Sequence, residues 1–506
     1  MNVFPGFIDE LDESKKKEGS KTIVSRIFGN RFRSDQTLYE YLIEFLLVFT
    51  SAKDANLELG KMKFHDISIN KEMSYWTKPR MGLRRFIFYD KSRKSSSIKA
   101  DEEAYKKMKE ILVSKMEDIN EENGKEYIES IQDLLHGYAV VIKKRAWCAQ
   151  AILPICPELI FCGAMPNEKK RLKLVDWEND PETVDTKFDF DKRNFLSRGG
   201  ELYYLHLLQG LENNNDKKSK LEMLLNDLIS GQCKSISKIS AFIQNSWEEE
   251  IGFDKSDVIK MKLAFIPKDA YVECEQNSID ELINYLSCKL HPINRIEILA
   301  KGIMFQIMRM MSCAVASYLK VEKKKWIIDM RGSSTDTVKK IAAEMYRSIE
   351  DDFMTALNEM SKEINIDEND MMKKVHEAKV NSFDIFKSKG KELQCIIPIS
   401  GSFERFSLSE DIIRFLVLSL IAPQKKMTLN MFLEKLYEHY GIVIGPYEYR
   451  RSLNNESNIE VSLANSFNDN VIAFQNFLKA TGFLRELSDA TSIVVNPYTN
   501  ILEEEN

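Results

Sequence analysis

The sequence predicts a mainly α, multi-domain protein with small β elements and a C-terminal winged-helix-like domain. Three observations lead there. The 506 residues hold only 20 glycines and 12 prolines, about half the usual share. Tight hairpins are therefore scarce, which excludes an all-β sandwich or propeller. Apolar residues recur at i, i+3 and i+4 over long segments, whereas runs with strand character are short and isolated. Hydrophobic residues make up 43 % and charged residues 30 %, enough for packed cores and too apolar for global disorder. A net charge of −6 excludes a uniformly basic nucleic-acid coat but leaves local basic patches open.

The elements follow in order. Ser34 stands where an N-cap would open a helix with apolar positions Leu38, Tyr41, Leu42, Phe45, Leu46 and Phe49. Arg85–Tyr89 (RFIFY) has the aromatic and β-branched content of a strand. Ile128, Ile131, Leu134, Leu135 and Tyr138 define a second amphipathic helix. Pro292 suits the first turn of a long helix through Ile296, Leu299, Ile303, Ile307, Met310 and Ala314 to about Leu319. Only Glu297, Lys301, Gln306 and Arg309 interrupt its apolar surface, so it should be central and buried, with Met304, Met308, Met310 and Met311 in the core. Trp326–Asp329 and Gln394–Ile399 are further short strands.

Charge is unevenly spread. Residues 1–100 carry 19 Lys and Arg against 13 Asp and Glu, and residues 401–506 carry 9 against 14. Polar, charge-dense joints at 12–21, 91–103, 179–187, 212–220 and 364–370 suggest three parts. These are an N-terminal helical and basic domain (1–104), a central mainly helical region (105–400) and the C-terminal module (401–506). The eight cysteines lack any C-x2-C spacing and the start lacks a signal-peptide pattern, which fits a reduced, cytoplasmic protein.

The module at 405–498 has the most specific pattern. Ser407 or Ser409 caps a helix stopped by Pro423, and Thr428 opens a second that ends at Gly441. A third, Val471–Ala480, is closed by Gly482, and Phe483–Leu487 and Ser492–Val495 form a hairpin. Three helices followed by a hairpin is the order of a winged helix. Lys479 is the only cation on the third helix and Arg485 the only one on the first hairpin strand. DNA contact is therefore poorly supported. Protein contact is the better reading, and Glu434, Glu438, Tyr447 and Tyr449 are its candidate partner-binding residues.

Residues 71–99 hold nine Lys and Arg against Glu72 and Asp90, interleaved with Tyr75, Trp76, Phe86, Phe88 and Tyr89. Cations that track phosphates beside aromatic faces that stack on bases suit nucleic acid. Lys78, Arg80, Arg84, Arg85, Arg93 and Lys94 are the candidate contacts. The same pattern also fits aromatics facing a core with cations on a solvated strand edge.

Catalytic chemistry is not visible. The six histidines lack HExxH or HxH partners, and no Walker P-loop occurs. No cofactor or metal is therefore expected, and a non-enzyme is favoured. Two weaker features stand out. The glycines of RGGELYY (198–204) could offer helix N-terminal amides to an anion, and Asp329 and Arg331 follow a short strand as active-site residues often do.

FGNRFRSDQTLYEYLIEFLLVF (28–49), RGGELYYLHLL (198–208) and the ending with GIVIGP (441–446) and GFLRELSDATSIVVNPY (482–498) resemble proteins encoded in bacterial anti-phage defence islands. The resemblance covers a small part of the chain and supplies no catalytic residues. It implies a non-catalytic scaffold or adaptor subunit of a DNA-directed defence complex, partnered by an ATPase, nuclease or methyltransferase. The alternatives are an autonomous winged-helix DNA-binding regulator, or an effector nuclease whose site is not legible in the sequence.

Overall fold

The computed structural model describes residues 3–6, 19–30, 32–54, 62–67, 73–92, 98–116, 120–141, 145–166, 188–189, 199–251, 258–330, 336–453, 465–488 and 491–503. It is mainly helical with a few small sheets. The expected N-terminal helix is present as α1 (Leu38–Thr50), but its cap is Thr37, not Ser34. Thr37 and Glu40 form a capping box: Glu40 Oε2 accepts from the Thr37 amide at 2.7 Å, and Thr37 Oγ1 accepts from the Glu40 amide at 3.4 Å.

The strand expected at Arg85–Tyr89 is instead helix α2 (Met81–Phe88), and the local strand is β1 (Ser74–Thr77). All eight residues of α2 are buried. Eight residues make little more than two helical turns, too short a period to outweigh the aromatic, strand-like content of RFIFY. Helix α3 (Lys99–Ser114) runs straight through the boundary placed at 104/105. Helix α4 (Glu121–His136) follows the predicted apolar spacing.

The centre is built from α5 (Gly199–Gly210), α6 (Asn215–Asn226), α7 (Lys234–Ile251), α8 (Glu275–Ser287) and the 28-residue α9 (Pro292–Leu319). Helix α9 is long and apolar enough to cross a membrane, but 94 % of its most apolar stretch is buried within the protein. Its four methionines at 304, 308, 310 and 311 are core residues. Strand β2 (Ile259–Lys262) pairs antiparallel with β1.

Beyond α9 come β3 (Trp326–Ile327), β4 (Ile396–Ile397) and β5 (Arg405–Phe406). The β4–β5 pair is antiparallel and straddles the boundary placed at 400/401. Trp326 stacks on Phe406 with ring centroids 4.7 Å apart. The last segment supplies α10 (Glu410–Leu420), β6 (Lys426–Thr428), α11 (Leu429–Tyr440), β7 (Ile442–Val443), α12 (Pro446–Ser452), α13 (Phe467–Ala480), β8 (Leu484–Ser488) and β9 (Thr491–Val495).

Thr428 caps α11 as expected, accepting from the Met431 amide at 3.3 Å. Gly441 closes that helix at φ 72°, a left-handed conformation that glycine adopts without a Cβ penalty. β6, β9 and β8 form a three-stranded antiparallel sheet in that order. β7 pairs parallel with β3, and α10 packs on α8 and α9. One apolar core therefore runs without a break from Phe4 to Val494.

Candidate partner-binding surface

The basic segment does not present the surface expected of it. Arg84 and Arg85 are 2 % and 0 % exposed. Arg84 donates to the carbonyl oxygens of Cys148 and Cys162 and lies 4.6 Å from the Phe161 ring centroid. Arg85 sits over Trp147 and Trp247, at 4.9 and 5.3 Å, with Asp101 3.6 Å away. Arg80 donates to the carbonyls of Pro157 and Ile160. Lys78 is half-buried beside Glu248 at 3.3 Å. Arg93 and Lys94 lie outside the described residues. These arginines thus join loop carbonyls and indoles inside the fold, and neither Arg84 nor Arg85 reaches a surface where a phosphate backbone could run.

The two weaker features are internal as well. The N-terminus of α5 already has its anion: Glu44 Oε2 accepts from the Gly200 amide at 2.8 Å. Gly199 and Gly200 let α5 approach α1, since a Cβ on Gly200 would fall 2.0 Å from the Tyr41 carbonyl oxygen. Asp329 is buried and accepts from Arg405 Nε. Arg331 lies outside the described residues. Among the described residues no group of His, Cys, Asp and Glu is arranged to hold a metal ion.

The C-terminal segment does carry an open surface. A groove of about 650 Å³ lies between α11, α12 and α13, lined among others by Met431, Leu433, Glu434, Tyr447, Glu448 and Ile472. Met431, Tyr447 and Ile472 are 52 %, 64 % and 52 % exposed. Glu434 and Glu438 are exposed on α11 and approach Arg451 at 3.8 and 3.3 Å. Burial pushes the Glu448 carboxyl above its ordinary pKa. Tyr449, expected at this surface, is buried instead and stacks on Phe467 at 4.5 Å. At 3.6 residues per turn, positions two apart on a helix point to nearly opposite sides, so Tyr447 and Tyr449 part company. Sequence reading did not single out Met431 or Ile472.

It also missed a buried polar cluster joining α5, α8, α9 and α11. Glu281 accepts from Gln306 at 2.6 Å, from both terminal nitrogens of Arg309 and from His439 Nδ1 at 3.0 Å. Burial opposes ionisation of Glu281, but Arg309 and these donors hold its pKa below the usual carboxylate value. Arg309 also donates to Ser278 Oγ at 2.6 Å and sits 4.4 Å from the Tyr440 ring centroid. On its outer side the cluster opens, through Glu281 and His439, to a cleft of about 410 Å³.

Compared with protein-family models, curated proteins and solved structures, the chain matches none of them.

Proposed function

We propose that this protein is a non-catalytic adaptor whose C-terminal segment is a winged-helix-like module that docks a partner protein. Its element order supports the module: α10, β6 and α11, then, after the short β7 and α12, α13, β8 and β9, with β6 pairing beside β9. The resemblance to defence-island proteins supplies the setting, a DNA-directed anti-phage complex with an enzymatic partner.

The observation that carries the docking role is the groove. Met431, Tyr447 and Ile472 are each more than half exposed around one concavity, and clustered exposed apolar side chains of this kind mark interaction sites. The rim is acidic, with Glu434 on it and Glu438 one turn on, both approached by Arg451. An amphipathic partner helix with basic flanks complements such a surface. DNA reading through α13 is the weaker alternative, because Lys479, its only cation, pairs with Glu486 at 2.9 Å.

The test is affinity capture with the full chain from the native host, followed by binding measurements with the purified partner. Met431→Glu with Ile472→Glu should weaken that binding at least tenfold while circular dichroism and the thermal midpoint stay unchanged. Sub-micromolar, sequence-selective duplex DNA binding by the full chain, unaffected by the two substitutions, would replace the adaptor with a regulator.

A further inference from the structure

The cleft above the buried cluster is walled by four helices that meet only in the folded protein. α6 contributes Lys217 and Lys220, α8 contributes Asp280, Glu281 and Asn284, α10 contributes Ser419, and α11 contributes Lys435 and His439. Its volume of about 410 Å³ lies within the range of small-molecule sites, roughly 300–1,000 Å³.

The charges around it are unbalanced. Asp280 is neutralised by Lys217 at 2.7 Å. Glu281 is neutralised from behind by Arg309, at 3.1 and 3.0 Å, with both side chains 1 % exposed. Lys220 and Lys435 then remain without a carboxylate partner among the described residues; Lys435 only approaches the Leu420 carbonyl at 3.5 Å. His439 donates its Nδ1–H to Glu281, which fixes its ring and leaves Nε2 as an acceptor for a ligand hydroxyl or N–H. Asn284 is anchored by its own bond to the Ser419 carbonyl at 2.9 Å. A concave site with low-dielectric walls focuses the field of such cations.

We infer that this cleft is a binding site for a phosphate-bearing small molecule of nucleotide size, its phosphate held by Lys220 and Lys435 and one of its hydroxyl or N–H groups donating to His439 Nε2. Lysine ammonium groups serve a phosphate as compact point charges. The buried Glu281–Arg309 pair positions His439 without itself meeting the ligand. The site shares no lining residue with the partner groove, so its occupancy does not depend on the adaptor role.

The experiment is calorimetric titration of the full chain with AMP, ATP and inorganic phosphate, at 20 and 150 mM salt. A nucleotide should bind more tightly than phosphate alone, and affinity should fall with salt. Lys220→Ala with Lys435→Ala should weaken nucleotide binding at least tenfold. A double variant of equal charge change on exposed lysines elsewhere, Lys362→Ala with Lys373→Ala, should leave it within twofold. Phosphate binding with no nucleotide preference would overturn the nucleotide-sized ligand. The absence of any binding by the wild-type chain, or equal weakening in both double variants, would overturn the site itself.

Discussion

The Glu281 carboxylate accepts from both terminal nitrogens of Arg309, at 3.1 and 3.0 Å, in a pair that is 1 % exposed on each side. The pair ties α8 to α9, and the Arg309 bond to the His439 carbonyl at 2.9 Å extends the tie to α11. Two ions in an interior cost several kcal/mol each to desolvate, and each is tolerated only because the other is present. Removing one partner should therefore destabilise the protein by about 3–5 kcal/mol. Arg309→Met alone and Glu281→Leu alone should each show that loss in urea unfolding. The double variant should lose less than the sum of the two. Full additivity would mean that the pair is not coupled.

A second prediction opposes two effects at Gly200. Alanine in a helix is favoured over glycine by about 1 kcal/mol. Here, however, a Cβ would lie 2.0 Å from the Tyr41 carbonyl oxygen and 2.7 Å from Glu44 Cβ. The backbone oxygen cannot swing aside as a side chain could, so α5 must move off α1 and stretch the 2.8 Å bond from the Gly200 amide to Glu44. Overpacking of this kind costs about 1–3 kcal/mol, which exceeds the propensity gain. Gly200→Ala should lower the thermal midpoint, and a raised midpoint would show that the helices separate freely.

Arg84 gives the third. Its guanidinium bridges two loop carbonyls, those of Cys148 and Cys162. Arg84→Ala would leave both acceptors buried without this donor, at about 1–3 kcal/mol for each unsatisfied group. Lys78→Ala, at a half-buried pair with Glu248, should cost no more than about 1 kcal/mol. Chemical denaturation distinguishes them. Equal small effects would place Arg84 at the surface after all.

How far the sequence reveals this molecule follows from where each signal originates. Helix α9, the helices α10, α11 and α13 and the β8–β9 hairpin are legible because caps, stops and apolar periods are local properties of the chain, whereas β6, β7 and α12 are too short to carry a period. Helix α2 is not legible either, because its eight residues are too few for the helical period to outweigh their aromatic content. The fate of Arg84 and Arg85 is hidden too: Arg84 meets the carbonyls of Cys148 and Cys162, and Arg85 meets Trp147, Trp247 and Asp101, none of them near enough in sequence to signal it. Glu281, Arg309 and His439 are likewise brought together across separations of 28 and 158 residues. The groove was half legible, since Glu434, Glu438 and Tyr447 are exposed as expected, whereas the apolar Met431 and Ile472 could be assigned to a surface only by the fold.

The last prediction concerns pH and rests on two histidines buried in their neutral form. His65 bonds Tyr204 through Nδ1 at 2.8 Å and the Ser74 carbonyl through Nε2 at 2.9 Å. His206 bonds Ser278 Oγ through Nε2 at 2.8 Å. Burial, reinforced by the charge of Lys53 at His65 and of Arg309 at His206, lowers both to about 3. Between that value and the unfolded value near 6.5, the unfolded chain binds protons that the native state refuses. Stability from these groups is thus complete above pH 6.5 and is lost as pH falls through the window, at up to about 1.4 kcal/mol per pH unit for each histidine. Glu275 works against them. Burial and then Glu212 raise its carboxyl to about 7, so between pH 7 and the ordinary glutamate range the native state holds a proton that the unfolded state has released. Glu448, raised by burial, acts in the same direction as Glu275, so the quantity to read is the change of slope on removing one histidine. His206→Gln keeps an amide donor for Ser278 and removes the titration. It should reduce the slope of unfolding free energy between pH 6 and 5 by up to about 1.4 kcal/mol per pH unit. Urea unfolding at pH 7, 6 and 5 measures it, and an unchanged slope in the variant would mean that His206 already takes up its proton in the native protein.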